Sequence, residues 1–153
     1  MTRIETPSGW VFFNGSPIEE AFYEAWCRRI KDCNLPPHLF SLTPEYCIGR
    51  YRVDFAHVRT HTAIELVGQA THSTTAAIAY DCKRQREIED MGWHVVRFGG
   101  REIFTDVEAC VNEVGHLLIE RMVSQKQVRT VRENTTPSIV RENTTPCEEK
   151  VRC

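Results

Sequence analysis

The chain has 153 residues, 41% of them apolar and 26% charged, with a formal net charge of −2. That length suits one domain with a real core, and the near-neutral balance excludes a strongly basic nucleic-acid binder held by bulk charge. No apolar run approaches the length of a membrane span, which excludes an integral helical membrane protein. The opening MTRIETPSGW lacks the basic start and apolar centre of a signal peptide, so a cytoplasmic protein is expected. Cysteines at 27, 33, 47, 82, 110, 147 and 153 are odd in number and form no CxxC pair. Neither a structural zinc site nor a disulfide framework is expected.

In chain order, the apolar run Trp10–Phe13 is expected to pack under the first helix. Ser16-Pro17-Ile18-Glu19 predicts that helix's start, with a serine cap, proline in the first turn and a glutamate placed for a capping box. Ile18, Phe22, Ala25, Trp26 and Ile30 then recur at helical spacing as one buried stripe, which ends at Cys33-Asn34-Leu35-Pro36-Pro37. Two strands come next, Tyr46–Ile48 and Tyr51–Val58, with Gly49-Arg50 as the turn. A third strand is expected over Thr62–Val67. The polar link Gly68–Thr75 leads to a charge-rich helix from about Ala76 to Met91, stopped by Gly92. Trp93–Phe98 then reads as a compact strand brought beside an earlier one by a crossover. Thr105 to Glu108 predicts a capping box for a last helix with Val107, Cys110, Val111, Val114, Leu118 and Met122 on its apolar face.

The domain is expected to end near residue 123. Over 124–153 the periodicity dissolves, and VRENTTP occurs at both 131–137 and 140–146. Its low hydrophobicity predicts a disordered tail without a catalytic role, available to a protein partner.

The chemistry concentrates in CIGRYRVDFAHVRTHTAIELVGQATH. In strict alternation Val53 and Phe55 face one way and Arg52, Asp54 and Ala56 the other; Ile64 and Leu66 oppose Ala63, Glu65 and Val67. Antiparallel pairing of the two runs brings Asp54 and Glu65 to one face near a common strand end. Two such carboxylates repel unless a cation lies between them. A hard divalent ion suits them, and magnesium takes one or two protein carboxylates and keeps several waters. Glu65, flanked by Ile64 and Leu66, is the harder residue to explain as mere structure, because a buried carboxylate needs a partner.

The order helix, three strands, helix, strand, helix, together with SPIE at 16–19, IGRYRVDFA at 48–56, AIELVGQATH at 63–72, YDCKRQREIEDMGWHVVRF at 80–98 and GREIF at 100–104, resembles the DUF559 group of restriction-endonuclease-like proteins. That group is related to very-short-patch mismatch-repair endonucleases. The resemblance covers roughly residues 10 to 120 and implies an α/β fold of the PD-(D/E)XK kind, a central mixed sheet flanked by helices in the order αβββαβα. It implies a metal-dependent endonuclease acting on DNA, with Mg2+ as cofactor and Mn2+ able to substitute.

Carried over by position, the metal ligands fall on Asp54, Glu65 and a backbone carbonyl at Leu66 or Val67, and the acid of the first helix on Glu19. The histidine that moves a proton falls on His72. Val67 stands where the motif lysine or aspartate belongs, and the zinc-binding cysteines of the mismatch-repair enzymes have no counterpart. Gln69 is a weaker substitute for the lysine, since an amide orients water but takes no proton. Lys83 and Arg84 are candidates to meet a phosphate. Arg97 either pairs with a core acid or points at the site. The rival reading is an inactive nuclease-fold module that binds DNA or protein. A small-molecule α/β protein ranks last, because no glycine-rich phosphate loop is present.

Overall fold

The computed structural model describes residues 2–6, 9–13, 15–68 and 74–135, with side chains described at 6, 15–68 and 74–128. The elements are β1 (Thr2–Thr6), β2 (Gly9–Phe13), α1 (Pro17–Asp32), α2 (Pro37–Phe40), β3 (Thr43–Ile48), β4 (Tyr51–His57), β5 (Thr62–Val67), α3 (Thr75–Asp90), β6 (His94–Gly99) and α4 (Gly100–Thr135). β3, β4, β5 and β6 form one mixed sheet in that order. The first two pairings are antiparallel, and β6 joins β5 in parallel through the α3 crossover. The expected α/β core is present, preceded by a hairpin.

That hairpin is a separate two-stranded sheet in which Ile4 faces Val11 and Arg3 faces Phe12. An aromatic and β-branched stretch such as Trp10–Phe13 suits a strand. Its expected packing under α1 concerns side chains outside the described residues.

α1 buries Ile18, Phe22, Ala25, Trp26 and Ile30, the stripe its spacing predicts. Ser16 begins it: its backbone N–H donates to Glu19 Oε2 at 3.2 Å and its hydroxyl to Oε1 at 2.9 Å. The main core lies between the sheet and α1 with α4, where Phe55 meets Phe22 and Tyr23 at centroid distances of 5.6 and 5.4 Å. A smaller cluster of Ile48, Tyr51, Val53, Ala56, Ala63 and Ile88 fills the other face under α3. Ile88 is the only buried residue of α3, whose first half stands in solvent. The β3–β4 turn requires its glycine: Gly49 has φ +57°, and a Cβ there would lie 3.0 Å from Met91 Sδ.

Two expectations are corrected at α4. The helix breaks at Asp106 (φ −157°, ψ 80°). Asp106, not Thr105, caps the longer segment beyond the break, its Oδ1 accepting from Ala109 N–H at 2.9 Å. Thr105 closes the preceding turn by donating to the Arg101 carbonyl, and Glu108 pairs with Arg28. Aspartate and threonine both cap helices, so the pattern alone misplaces the start by one residue. The helix also continues past residue 123 to Thr135. No glycine or proline interrupts 116–136, so nothing local stops it. The remainder of the tail, 136–153, lies outside the described residues.

Candidate active site

Regular alternation along β4 fails at Asp54. Val53 packs with the α3-side cluster and Phe55 with the α1–α4 side, although residues two apart on a strand ordinarily share a face. The expected common face for Val53 and Phe55 is therefore wrong. Directly opposite, Glu45 takes a left-handed φ of +54°, a conformation that costs a non-glycine residue about 1 kcal/mol. The distortion coincides with a parting of strands. β4 and β5 pair at His57–Thr62, Ala56–Ala63 and Phe55–Ile64. Beyond them the Asp54 side chain takes over as acceptor, receiving the Leu66 N–H on Oδ2 at 2.7 Å. The wedge so opened is the site.

Asp54 is half-buried, and desolvation pushes its carboxyl above the usual carboxylate range. The Leu66 N–H pulls the other way, while the charges of Glu19, Glu65 and Glu45 push it further up. Glu45 is itself paired with Arg52 at 2.8 Å. Asp54, Glu65 and Glu19 thus share one electrostatic neighbourhood. Glu19, occupied as a capping residue, reaches Asp54 through its field.

Glu65 is buried and sits between two guanidiniums. Its Oε1 accepts from Arg84 Nη1 of α3. Its Oε2 accepts from Arg97 Nε and Nη2 at 3.2 and 3.0 Å. Arg97 lies directly across the parallel ladder from Glu65, so both stand on the α3 face. Asp81 of α3 holds the far end of Arg97 with bonds of 2.6 and 2.7 Å. That contact draws the Asp81 carboxyl below its usual range. Arg84 also donates to the Arg52 carbonyl at 2.7 Å and lies 5.8 Å from the centre of the Tyr51 ring.

The structure therefore gathers Asp54, Glu65, Glu19, Arg84, Arg97 and the Leu66 backbone. It sends Lys83 elsewhere, to the exposed group of Glu87, Arg50 and Tyr51, where Lys83 Nζ lies 3.8 Å from Glu87. Gln69 and His72 lie outside the described residues. Arg97 proves to be an ion-pair partner of the motif acid. Asp81 had no place among the sequence candidates; its signal is the spacing Asp81-x-x-Arg84, which sets both on one helix face.

Among the described residues no group of three or more His, Cys, Asp or Glu side chains is arranged to hold a metal ion. The donor chemistry nevertheless fits a hard cation. Asp54, Glu65, Glu19 and Asp81 outnumber Arg84 and Arg97, and the surplus negative charge is densest around Asp54.

Residues 29–118 match the restriction-endonuclease-like family REase_MTES_1575. The chain belongs to that family. The match takes in Asp54, Glu65, Asp81, Arg84 and Arg97 and leaves Glu19 outside. Among curated proteins, "Uncharacterized protein YcjD" of Escherichia coli (strain K12) is 32% identical over 75 residues, 49% of this chain and 62% of that protein. The chain thus spans less than two thirds of that relative. Among solved structures, the "Homing Endonuclease I-Bth0305I Catalytic Domain" superposes with a TM-score of 0.52 at 14% identity, covering 70% of this chain and 98% of that one. The shared fold is that of a PD-(D/E)XK-like nuclease.

Among the described residues no helix is long and apolar enough to cross a membrane.

Proposed function

We propose that the protein is a metal-dependent endonuclease that hydrolyses DNA phosphodiester bonds. The observation that carries this reading is the wedge between β4 and β5, where Asp54 accepts the Leu66 N–H at 2.7 Å beside Glu65. Asp54, Glu65 and the Leu66 carbonyl would hold Mg2+ or Mn2+. Such an ion, when bound, polarises a phosphoryl oxygen and makes water more acidic.

The chain's own residues do the rest. Burial of Asp54 and the acids around it make its charge costly when alone, which biases it toward a cation. Arg97, fixed at one end by Asp81, pairs with Glu65 Oε2 and aims it. Arg84 leaves Glu65 Oε1 as the site fills and turns its guanidinium to the scissile phosphate. There it offsets the developing negative charge, the role that Val67 vacates. His72, by the family likeness, passes the proton. The chemistry of the substrate, a polyanion, supplies the counter-charge that draws Arg84 away from Glu65.

One observation favours a second reading: both oxygens of Glu65 already accept from arginines, which is also how a nuclease fold that only binds would neutralise a leftover acid. Plasmid cleavage with Mg2+ or Mn2+ separates the two. The wild type is expected to cut, and Asp54→Ala and Glu65→Ala are expected not to. Equal cutting by all three would refute the assignment, and absence of Mn2+ binding in a folded wild type would favour the binding module.

A further inference from the structure

Asp81 stands in the exposed half of α3, its side chain 46% open to solvent. A surface aspartate there needs no fixed partner, yet its two oxygens take both terminal nitrogens of Arg97, at 2.6 and 2.7 Å. A guanidinium offers two edges for a carboxylate: an end-on edge made by Nη1 and Nη2, and a side-on edge made by Nε and one Nη. Asp81 consumes the first. Glu65 receives only the second, and both of its donors converge on a single atom, Oε2, at 3.2 and 3.0 Å. An arginine opposite a carboxylate frequently makes the parallel two-bond fork that covers both oxygens, and a guanidinium free to turn can make it with either edge. Here Glu65 Oε1 escapes Arg97 and is met instead by Arg84, whose other contacts are the Arg52 carbonyl and the Tyr51 ring.

We propose that Asp81 is a positioning residue of the nuclease site: by holding the end of Arg97 it fixes the orientation in which both side-on donors meet Glu65 Oε2, and so leaves Oε1 to Arg84 and, once Arg84 moves away, to a divalent cation. The proposal rests on the metal-dependent reading above. It makes Arg97 the static counter-charge of Glu65 and Arg84 the displaceable one. Partners at this remove from a metal commonly change its affinity by about 10- to 100-fold when they are lost.

The experiment is Mn2+ titration calorimetry on the full chain, paired with metal titrations of plasmid cleavage, for the wild type, Asp81→Ala and Asp81→Glu. Asp81→Ala lies on an exposed helix face where alanine is well tolerated, and circular dichroism confirms its fold. The expected result is about tenfold weaker Mn2+ binding and an equal rise in half-saturating metal. The rate at saturating metal is recovered, and Asp81→Glu restores affinity. Unchanged Mn2+ affinity, or a loss of rate equal at every metal concentration, would show that Asp81 merely ties α3 to β6 and would overturn the proposal. A wild type that neither binds Mn2+ nor cuts would instead overturn the proposed function, and this inference with it.

Discussion

The two acids of the wedge should respond to neutralisation with opposite signs. Glu65 is buried, its side chain 7% exposed, between Arg84 at 17% and Arg97 at 27%. Glu65→Gln removes the charge both guanidiniums answer and leaves one amide oxygen to serve them. Breaking a buried pair costs roughly 3–5 kcal/mol; because both arginines keep some access to water, about 2–4 kcal/mol is expected. For a chain of this length that lowers Tm by roughly 4–16 °C. Asp54→Asn keeps an oxygen for the Leu66 N–H and removes a charge that its surroundings oppose. The change should leave Tm unaltered or raise it by the equivalent of about 1 kcal/mol, the scale of a well-solvated like-charge pair. The pH dependence fixes the sign. The folded-state pKa of Asp54 is raised above 3.8, so its ionisation weakens the fold as pH rises through that pKa. The wild type and Asp54→Asn should converge below pH 3.8 and separate above it. Mn2+ at tenfold its Kd should add about 1.4 kcal/mol to the wild type and nothing to Asp54→Asn. Differential scanning fluorimetry across pH and Mn2+ reads all of this. If Asp54→Asn loses as much stability as Glu65→Gln, or gains as much from Mn2+ as the wild type, the reasoning fails.

His57 is buried with Nε2 2.8 Å from the Leu39 carbonyl, which makes Nε2 the donor, and Nδ1 2.7 Å from the Thr60 hydroxyl; burial pushes its pKa below 6.5. Its contribution is complete above pH 6.5 and is lost as pH falls through the lowered folded value, so denaturant midpoints should drop below pH 6.5 in the wild type and less in His57→Gln. Asp106→Ala removes the cap of the long segment of α4 and should cost about 1 kcal/mol, read by urea denaturation; a neutral result would mean the break at Asp106 needs no cap. Val67 is exposed and shares the face of Glu65 two residues away, so Val67→Lys should restore cleavage to Arg84→Ala. Single-turnover assays should find a loss of roughly 100-fold in Arg84→Ala and recovery of most of it in the double variant; no recovery would separate the functions of the two positions.

Local patterns carried most of the fold. The α1 stripe, the Gly49-Arg50 turn, the Gly92 stop and the strand alternation of β5 are each set within a few residues, and each forms as read. The edges of the reading failed where two local signals compete. Thr105 and Asp106 both cap, and a tail poor in apolar residues still extends a helix that nothing interrupts. In the site, Asp54 and Glu65 were visible because carboxylates are rare inside apolar strands. The distortion of β4 was not visible, since it coincides with a gap in the β3–β4 register at Glu45 that no local pattern marks. His72 and Gln69 rest on the family likeness alone.

Arg84 and Arg97 were each candidates in the sequence, but their convergence on one acid is carried by no linear pattern, and it bears on how a motif without its lysine can still work. A lysine at position 67 would bring its cation on the same strand as the acid it serves. In this chain the cations arrive from elsewhere: Arg97 through the parallel register with Glu65, and Arg84 from α3 across the open wedge. A strand neighbour is held by the ladder, whereas Arg84 reaches the acid at the end of a long side chain from a helix, against Glu65, the Arg52 carbonyl and the Tyr51 ring. The two arginines are unequal: Arg97 is braced by Asp81, and on the proposed mechanism Arg84 is the one that exchanges a carboxylate for a phosphate. Loss of the motif lysine removes a fixed charge from the wedge, while the crossover that places β6 beside β5 brings another to the same acid. On the proposed mechanism, activity depends on whether α3 can present Arg84 to the substrate, which makes the helix, and not the strand, the element to watch.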